Sequence, residues 1–189
     1  MSAPVHSADI IRKYYAGHPK AWQILLEHSR RVTSRAIKIA RQLQGSESLD
    51  LQFIAEAAML HDIGIIKTNS PELGCSGDEP YLRHGVAGCA ILEAEGLPRH
   101  ARVCERHIGI GLTAAEIVSQ GLPLPARDML PVTLEEQIIC YADLFYSKGK
   151  KNRDREKTAD QVRKTLTKYG IEKREVFDRW LQFFEPERN

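Results

Sequence analysis

Apolar residues recur along most of the chain at spacings of three and four, and no segment sustains period-two alternation. A chain patterned this way buries its apolar stripes by packing helix on helix, so the expected fold is all-α, a single-domain helical bundle. The clearest segment spans about 19–44, where Leu25, His28, Val32, Ala36, Ile39 and Leu43 share one face and Gly45 follows as a stop. A short helix around Ile10, Ile11, Tyr14 and Tyr15 precedes it, closed by Gly17 and Pro19. A third helix is expected to start at the N-cap Asp50, to present Leu51, Ile54, Ala58 and His61 inward, and to end at Gly64.

Residues 65–83 contain Pro71, Gly74, Gly77 and Pro80 and read as a long loop. Helices are expected over about 84–95 and 98–107. Thr113-Ala-Ala-Glu116 and Thr133-Leu-Glu-Glu136 both have capping-box form and start two more, the second reaching about Ser147. The basic stretch Lys148 to Arg155 reads as a solvated connection. Val162, Leu166 and Tyr169, then Val176, Phe177, Trp180, Leu181 and Phe184, mark a C-terminal helical pair. The expected organisation is an N-terminal helix over 1–18, a main domain over 19–147, and the C-terminal pair over 148–189 packing on it.

Composition narrows the function. With 189 residues, 42% hydrophobic and 28% charged, the chain can bury one sizeable core. A net charge of +2 gives no reason to expect a nucleic-acid polymer or a membrane surface as partner. No apolar run approaches the length of a bilayer span, and Met1 to Asp9 lacks the features of a secretory signal. Cys75, Cys89, Cys104 and Cys140 form no C-x-x-C pair. They read as reduced, buried thiols of a cytoplasmic protein.

Chemistry concentrates in a few histidines and aspartates. His28 lies on the apolar face of the long helix, His61 and Asp62 follow the apolar run Ala-Ala-Met-Leu, and His84 and His107 bracket the next two helices. Singly, each has a structural reading: a hydrogen-bonded core histidine, or a residue at a helix end. Asp143 lies in a mostly apolar helix, where a buried carboxylate needs a partner. Together they suit a divalent Fe, Mn, Zn, Co or Ni ion held by imidazole and carboxylate. His6, His18 and His100 have no partner pattern and read as structural or exposed.

His28, the tetrapeptide His61-Asp62-Ile63-Gly64 and Asp143 resemble the H…HD…D signature of the HD-domain superfamily, over roughly residues 20–147. The resemblance implies an all-α, metal-dependent phosphohydrolase that cleaves a phosphate ester or anhydride of a nucleotide or small phosphorylated metabolite through a metal-bound hydroxide. Segments around Arg83-His84-Gly85 and Arg106-His107-Ile108 are similar to those of small HD hydrolases, including bacterial diadenosine-tetraphosphate hydrolases. By that resemblance His28, His61, Asp62 and Asp143 would hold one ion. His84 and His107 would hold a second, with Asp62 bridging. Two divalent ions against two aspartates leave a positive site that invites an anion, which favours the dinuclear form.

Lys67, three residues past Gly64, is expected to point into the cavity under a roof formed by 65–83 and to act with Asp62 in catalysis. Arg31, Arg83 and Lys148 are further candidates for the substrate phosphate, each with a solvated surface charge as the plain alternative. Asp78 and Glu79 read as lid residues or as nothing. The expected partner is a small phosphorylated substrate, with a homo-oligomer left open. The competing readings are a di-iron oxygenase of the same superfamily and a non-catalytic binding module. Cyclic-dinucleotide hydrolysis ranks low, because His107-Ile-Gly-Ile-Gly-Leu lacks the Gly-Tyr-Pro element of that subgroup.

Overall fold

A computed structural model of the chain describes residues 5–149 and 155–186. Its α-helices are α1 (Ser7–Tyr15), α2 (Pro19–Leu43), α3 (Leu51–Leu60), α4 (His84–Ala94), α5 (Pro98–Arg106), α6 (Ala114–Ser119), α7 (Leu134–Asp143), α8 (Ala159–Leu166) and α9 (Ile171–Phe184). The expected all-α fold is therefore present. The segment 65–83 is more structured than a loop. It holds a two-residue antiparallel pair, β1 (Asn69–Ser70) with β2 (Cys75–Ser76), and short 3-10 turns over Pro71–Leu73 and Tyr81–Arg83.

Helix α2 is the axis of the molecule and packs against α3 and α7, while α4 packs against α5. Two apolar clusters form along this axis. One gathers Val32, Ala36, Ile39, Ile54, Ala58, Ile139 and Phe145 with Phe177, Leu181 and Phe184 of the C-terminal pair. The other gathers Ile11, Tyr15, Leu25, Leu60, Ile63, Leu92 and Cys104. The third helix ends earlier than its apolar pattern suggests. It stops at Leu60, and after His61 and Asp62 the chain tightens into a 3-10 turn over Ile63–Lys67. That turn brings Gly64 against the backbone of His84 and Gly88 at the start of α4, an approach that leaves no room for a side chain at Gly64.

Helix α7 also ends early, at Asp143 rather than near Ser147. The carbonyl of Leu144 accepts from the ammonium of Lys157 at 3.0 Å, and Tyr146 N–H turns back to the carbonyl of Asp143. The helix-end acceptors are thereby satisfied without another helical turn. Only one of the two capping boxes is complete. Thr113 and Glu116 exchange both bonds, whereas the Glu136 carboxylate accepts from Val132 N–H and Arg106 instead of returning to Thr133. Tyr169, expected on an inner face, is 67% exposed, because the chain has already left α8 for a 3-10 turn there. The expectation of a solvated stretch from Lys148 to Arg155 fails at Lys148, whose side chain is only 11% exposed, and residues 150–154 lie outside the described residues.

Candidate metal centre

The two apolar clusters meet at a polar seam. On α2, Ile24 and Leu25 belong to one cluster and Val32 and Ala36 to the other, with His28 and Ser29 buried between them. On the second wall, Ala58 and Leu60 divide in the same way just before His61 and Asp62, both fully buried. Asp143, at the last turn of α7, completes one group: its Oδ1 lies 2.9 Å from His28 Nε2 and 3.5 Å from His61 Nε2. His28 Nε2 and His61 Nε2 are 3.3 Å apart, and Asp62 Oδ2 is 3.1 Å from each. His84, the first residue of α4, and His107, which closes α5, form a second group. Their Nε2 atoms are 3.1 Å apart and lie 3.4 and 3.3 Å from Asp62 Oδ1. Asp62 thus turns one oxygen to each group.

The ring orientations show which nitrogen is offered. His61 Nδ1 donates to the Ala58 carbonyl at 2.7 Å, His84 Nδ1 to Tyr81 at 2.7 Å, and His107 Nδ1 to Cys104 at 2.8 Å, each to the third residue back. Each bond fixes the tautomer that leaves Nε2 with a lone pair facing the cavity. Burial, with His107 and Lys148 nearby, pushes the His84 pKa down to about 3, so its ring is neutral. The neutral His84 ring, with its proton on Nδ1, has none on Nε2 to give to His107, and Asp62 Oδ1 receives no hydrogen bond among the described residues. Ligand atoms that share an ion at about 2.1 Å lie about 2.9–3.4 Å apart, close to the 2.9–3.5 Å separations of the two groups. The donor set and spacing therefore fit two divalent cations, the first on His28, His61, Asp62 and Asp143, the second on Asp62, His84 and His107. These are the six residues singled out from the sequence.

Electrostatics point the same way. Burial alone would disfavour charge on His61, yet the carboxylates of Asp62 and Asp143 outweigh it and push its pKa up to about 10. Both aspartates are held well below the usual carboxylate range against the opposing effect of burial, Asp62 chiefly by His61 and Lys148, Asp143 chiefly by Lys148. The cavity demands positive charge, and a metal ion can displace the proton that otherwise supplies it.

The basic residues separate. Lys148 reaches the cluster: its ammonium is 2.6 Å from Asp62 Oδ2 and hydrogen-bonds the Tyr81 hydroxyl. Lys67 is not brought to the cluster. It is exposed and borders another cleft with Tyr14, His18, Ser76, Asp78, Glu79 and Ile91, at the opposite end of the 3-10 turn from Asp62. Arg83 turns away to Glu79 and to the Pro123 carbonyl at 2.9 Å. Arg31 is half-buried on α2, one turn past His28. His100 is buried against Glu56 at 3.1 Å and the edge of Phe53, a structural role.

Tyr81 was missed by sequence reasoning. Its ring lies against His84 with centroids 4.7 Å apart, and its backbone carbonyl orients that imidazole. The only sequence signal was its place three residues before a histidine that opens a helix.

The chain matches the HD domain family over residues 25–147. It is 36% identical over 111 residues to a tRNA (cytidine(56)-2'-O)-methyltransferase of Picrophilus torridus, covering 58% of this chain and 29% of that protein. It is 35% identical over 121 residues to an uncharacterized protein of Methanocaldococcus jannaschii, covering 63% of this chain and 64% of that protein. A second tRNA (cytidine(56)-2'-O)-methyltransferase, from Thermoplasma volcanium, is 30% identical over 157 residues, 82% of this chain and 40% of its own length. The chain thus spans less than two thirds of each of these relatives. No solved structure matches the chain. The match across most of the bundle, with a histidine and aspartate cluster compatible with metal at its seam, means that this chain belongs to the HD domain family, of the metal-dependent hydrolase superfamily.

Proposed function

We propose that the chain is a phosphohydrolase that uses two divalent ions to cleave a phosphate ester or anhydride of a nucleotide or small phosphorylated metabolite. One observation carries the reading: Asp62 presents Oδ2 to His28 and His61 and Oδ1 to His84 and His107, the arrangement of a carboxylate shared by two cations. Two divalent ions would supply electrophilic activation of a phosphoryl oxygen and a water of lowered pKa. The remaining work falls to side chains. Asp62 holds the two groups in register, and the backbone-bonded imidazoles keep their lone pairs aimed at the seam. Lys148 adds a positive charge at the same carboxylate, placed to meet a phosphate oxygen as a compact donor. With Lys148 present and only two aspartates, the loaded cavity carries net positive charge and favours an anion.

Lys148 takes the role that the sequence suggested for Lys67. The tRNA methyltransferase names of two relatives describe those proteins. Methyl transfer to a ribose hydroxyl does not call for an imidazole-rich pair of cation sites, so the matched segment is carried over to this chain and that activity is not. The test is metal analysis of protein purified without chelator, then a panel of nucleotides, dinucleoside polyphosphates and sugar phosphates assayed with and without oxygen. Phosphate release that needs metal, is independent of oxygen and is lost in Asp62→Asn supports the reading. Turnover that consumes oxygen, or no turnover with any of Fe, Mn, Zn, Co and Ni, overturns it.

A further inference from the structure

We propose that Arg35, with Glu156 and Glu185, is a positioning device that sets Lys148 in the metal cavity, so that residues beyond the family-matched segment complete the substrate site. The inference rests on the reading above, in which Lys148 meets the phosphate. The family match ends at residue 147, and Lys148 follows immediately. From the end of α7, Phe145 and Tyr146 lead to Lys148, and the chain is back beside the same helix end at Glu156 and Lys157. Lys157 N–H donates to the Phe145 carbonyl at 2.9 Å, its ammonium to Leu144 at 3.0 Å, and the Tyr146 hydroxyl to Glu156 at 3.2 Å. These bonds join both limbs into a closed neck, with Lys148 three residues from Phe145.

Arg35 grips that neck from α2. Its guanidinium lies over the Phe145 ring at 3.5 Å and pairs with Glu156 at 2.7 Å, so it touches both limbs. On its other side it pairs with Glu185, which also accepts from the Tyr141 hydroxyl at 2.8 Å. Arg35 is buried, and an arginine so placed is held in one orientation by stacking and by two carboxylates. The ion pairs do not touch the six metal-cluster residues. Their effect on substrate passes through where the neck puts Lys148. Arg35 also offsets one of the two glutamate charges, which lessens their opposition to the anion that Lys148 receives.

The experiment uses the full-length, metal-loaded protein with inorganic phosphate as the probe, in wild type, Glu156→Gln, Lys148→Met and the double variant, with Arg35→Lys as a second disruption of the grip. Each is read by metal content, phosphate affinity and a crystal structure. Expected are unchanged metal content, a loss of phosphate affinity of about threefold to tenfold in Glu156→Gln, and no further loss when Lys148→Met is already present. Lys148 should also be displaced in Glu156→Gln. Losses that simply multiply in the double variant, or a Lys148 that keeps its wild-type place in both Glu156→Gln and Arg35→Lys, overturn the device. Lys148→Met with wild-type phosphate affinity instead removes the role of Lys148 in substrate binding, while a displaced Lys148 in Glu156→Gln would still support the mechanical link.

Discussion

Replacing Gly64 with alanine tests how the two halves of the metal centre are held together. A Cβ at Gly64 would stand 2.1 Å from the His84 carbonyl oxygen, 2.2 Å from Gly88 N and 2.8 Å from Gly88 Cα. All three are backbone atoms of α4, so no rotamer change relieves the clash. Restoring a C···O contact of about 3.3 Å requires the 3-10 turn and α4 to part by about 1 Å. Asp62 leads into the turn and His84 opens α4, so the same movement would stretch the 3.4 Å gap between Asp62 Oδ1 and His84 Nε2. The group formed by His28, His61 and Asp143 does not cross that contact. We expect Gly64→Ala to lose about 2–4 kcal/mol of stability, the upper end of what overpacking costs because backbone must move. Metal content should fall from two equivalents towards one. Urea denaturation of the metal-free protein gives the first quantity, and elemental analysis after metal saturation and desalting gives the second. Gly88→Ala is the control, because its Cβ meets Cys104 and Gly64 N at 3.2 Å, where a small adjustment suffices. Wild-type stability and two retained ions in Gly64→Ala would refute the reasoning.

Asp62→Ala should lose both ions, whereas His84→Ala should keep the first group loaded; equal losses in elemental analysis would contradict a shared carboxylate. Lys67→Ala should leave metal content and phosphate affinity within twofold of wild type, about 0.4 kcal/mol, whereas a larger loss of either in titration would return Lys67 to the site. Asp50 caps α3 by accepting from Phe53 N–H at 2.9 Å, and that bond, opposed by burial and aided by Arg99, lowers its pKa. A carboxyl with a depressed folded pKa contributes stability that is full above its unfolded value, about 3.9, and is lost as pH falls through the folded value. Asp50→Ala should therefore cost about 1 kcal/mol at neutral pH and less once pH drops below about 4, as read by urea titration of the metal-free protein at several pH values. A cost that does not shrink on acidification would contradict the charged cap.

The helical pattern, the caps at Asp50 and Thr113 and the six cluster residues were legible in the chain because each is a local signal. Spacings of three and four imply a face, and a histidine after an apolar helix or a carboxylate within one needs a partner wherever the fold puts it. The positions of the cations were not legible. Lys67 and Lys148 look alike as exposed lysines near a motif. Lys67 ends the 3-10 turn and borders the cleft with Asp78 and Glu79, whereas the chain beyond the early end of α7 brings Lys148 to Asp62. Arg35 shows the same limit. It adjoins the apolar stripe of α2 as an ordinary helix residue, and it becomes a clamp only because Glu156 and Glu185 return to it from 121 and 150 residues away. The sequence by itself determined which side chains can bind metal and which faces are buried, since those follow from residue chemistry and helical period. Only the tertiary structure decided which charges share the cavity, because that depends on where helices stop and how closely their backbones approach.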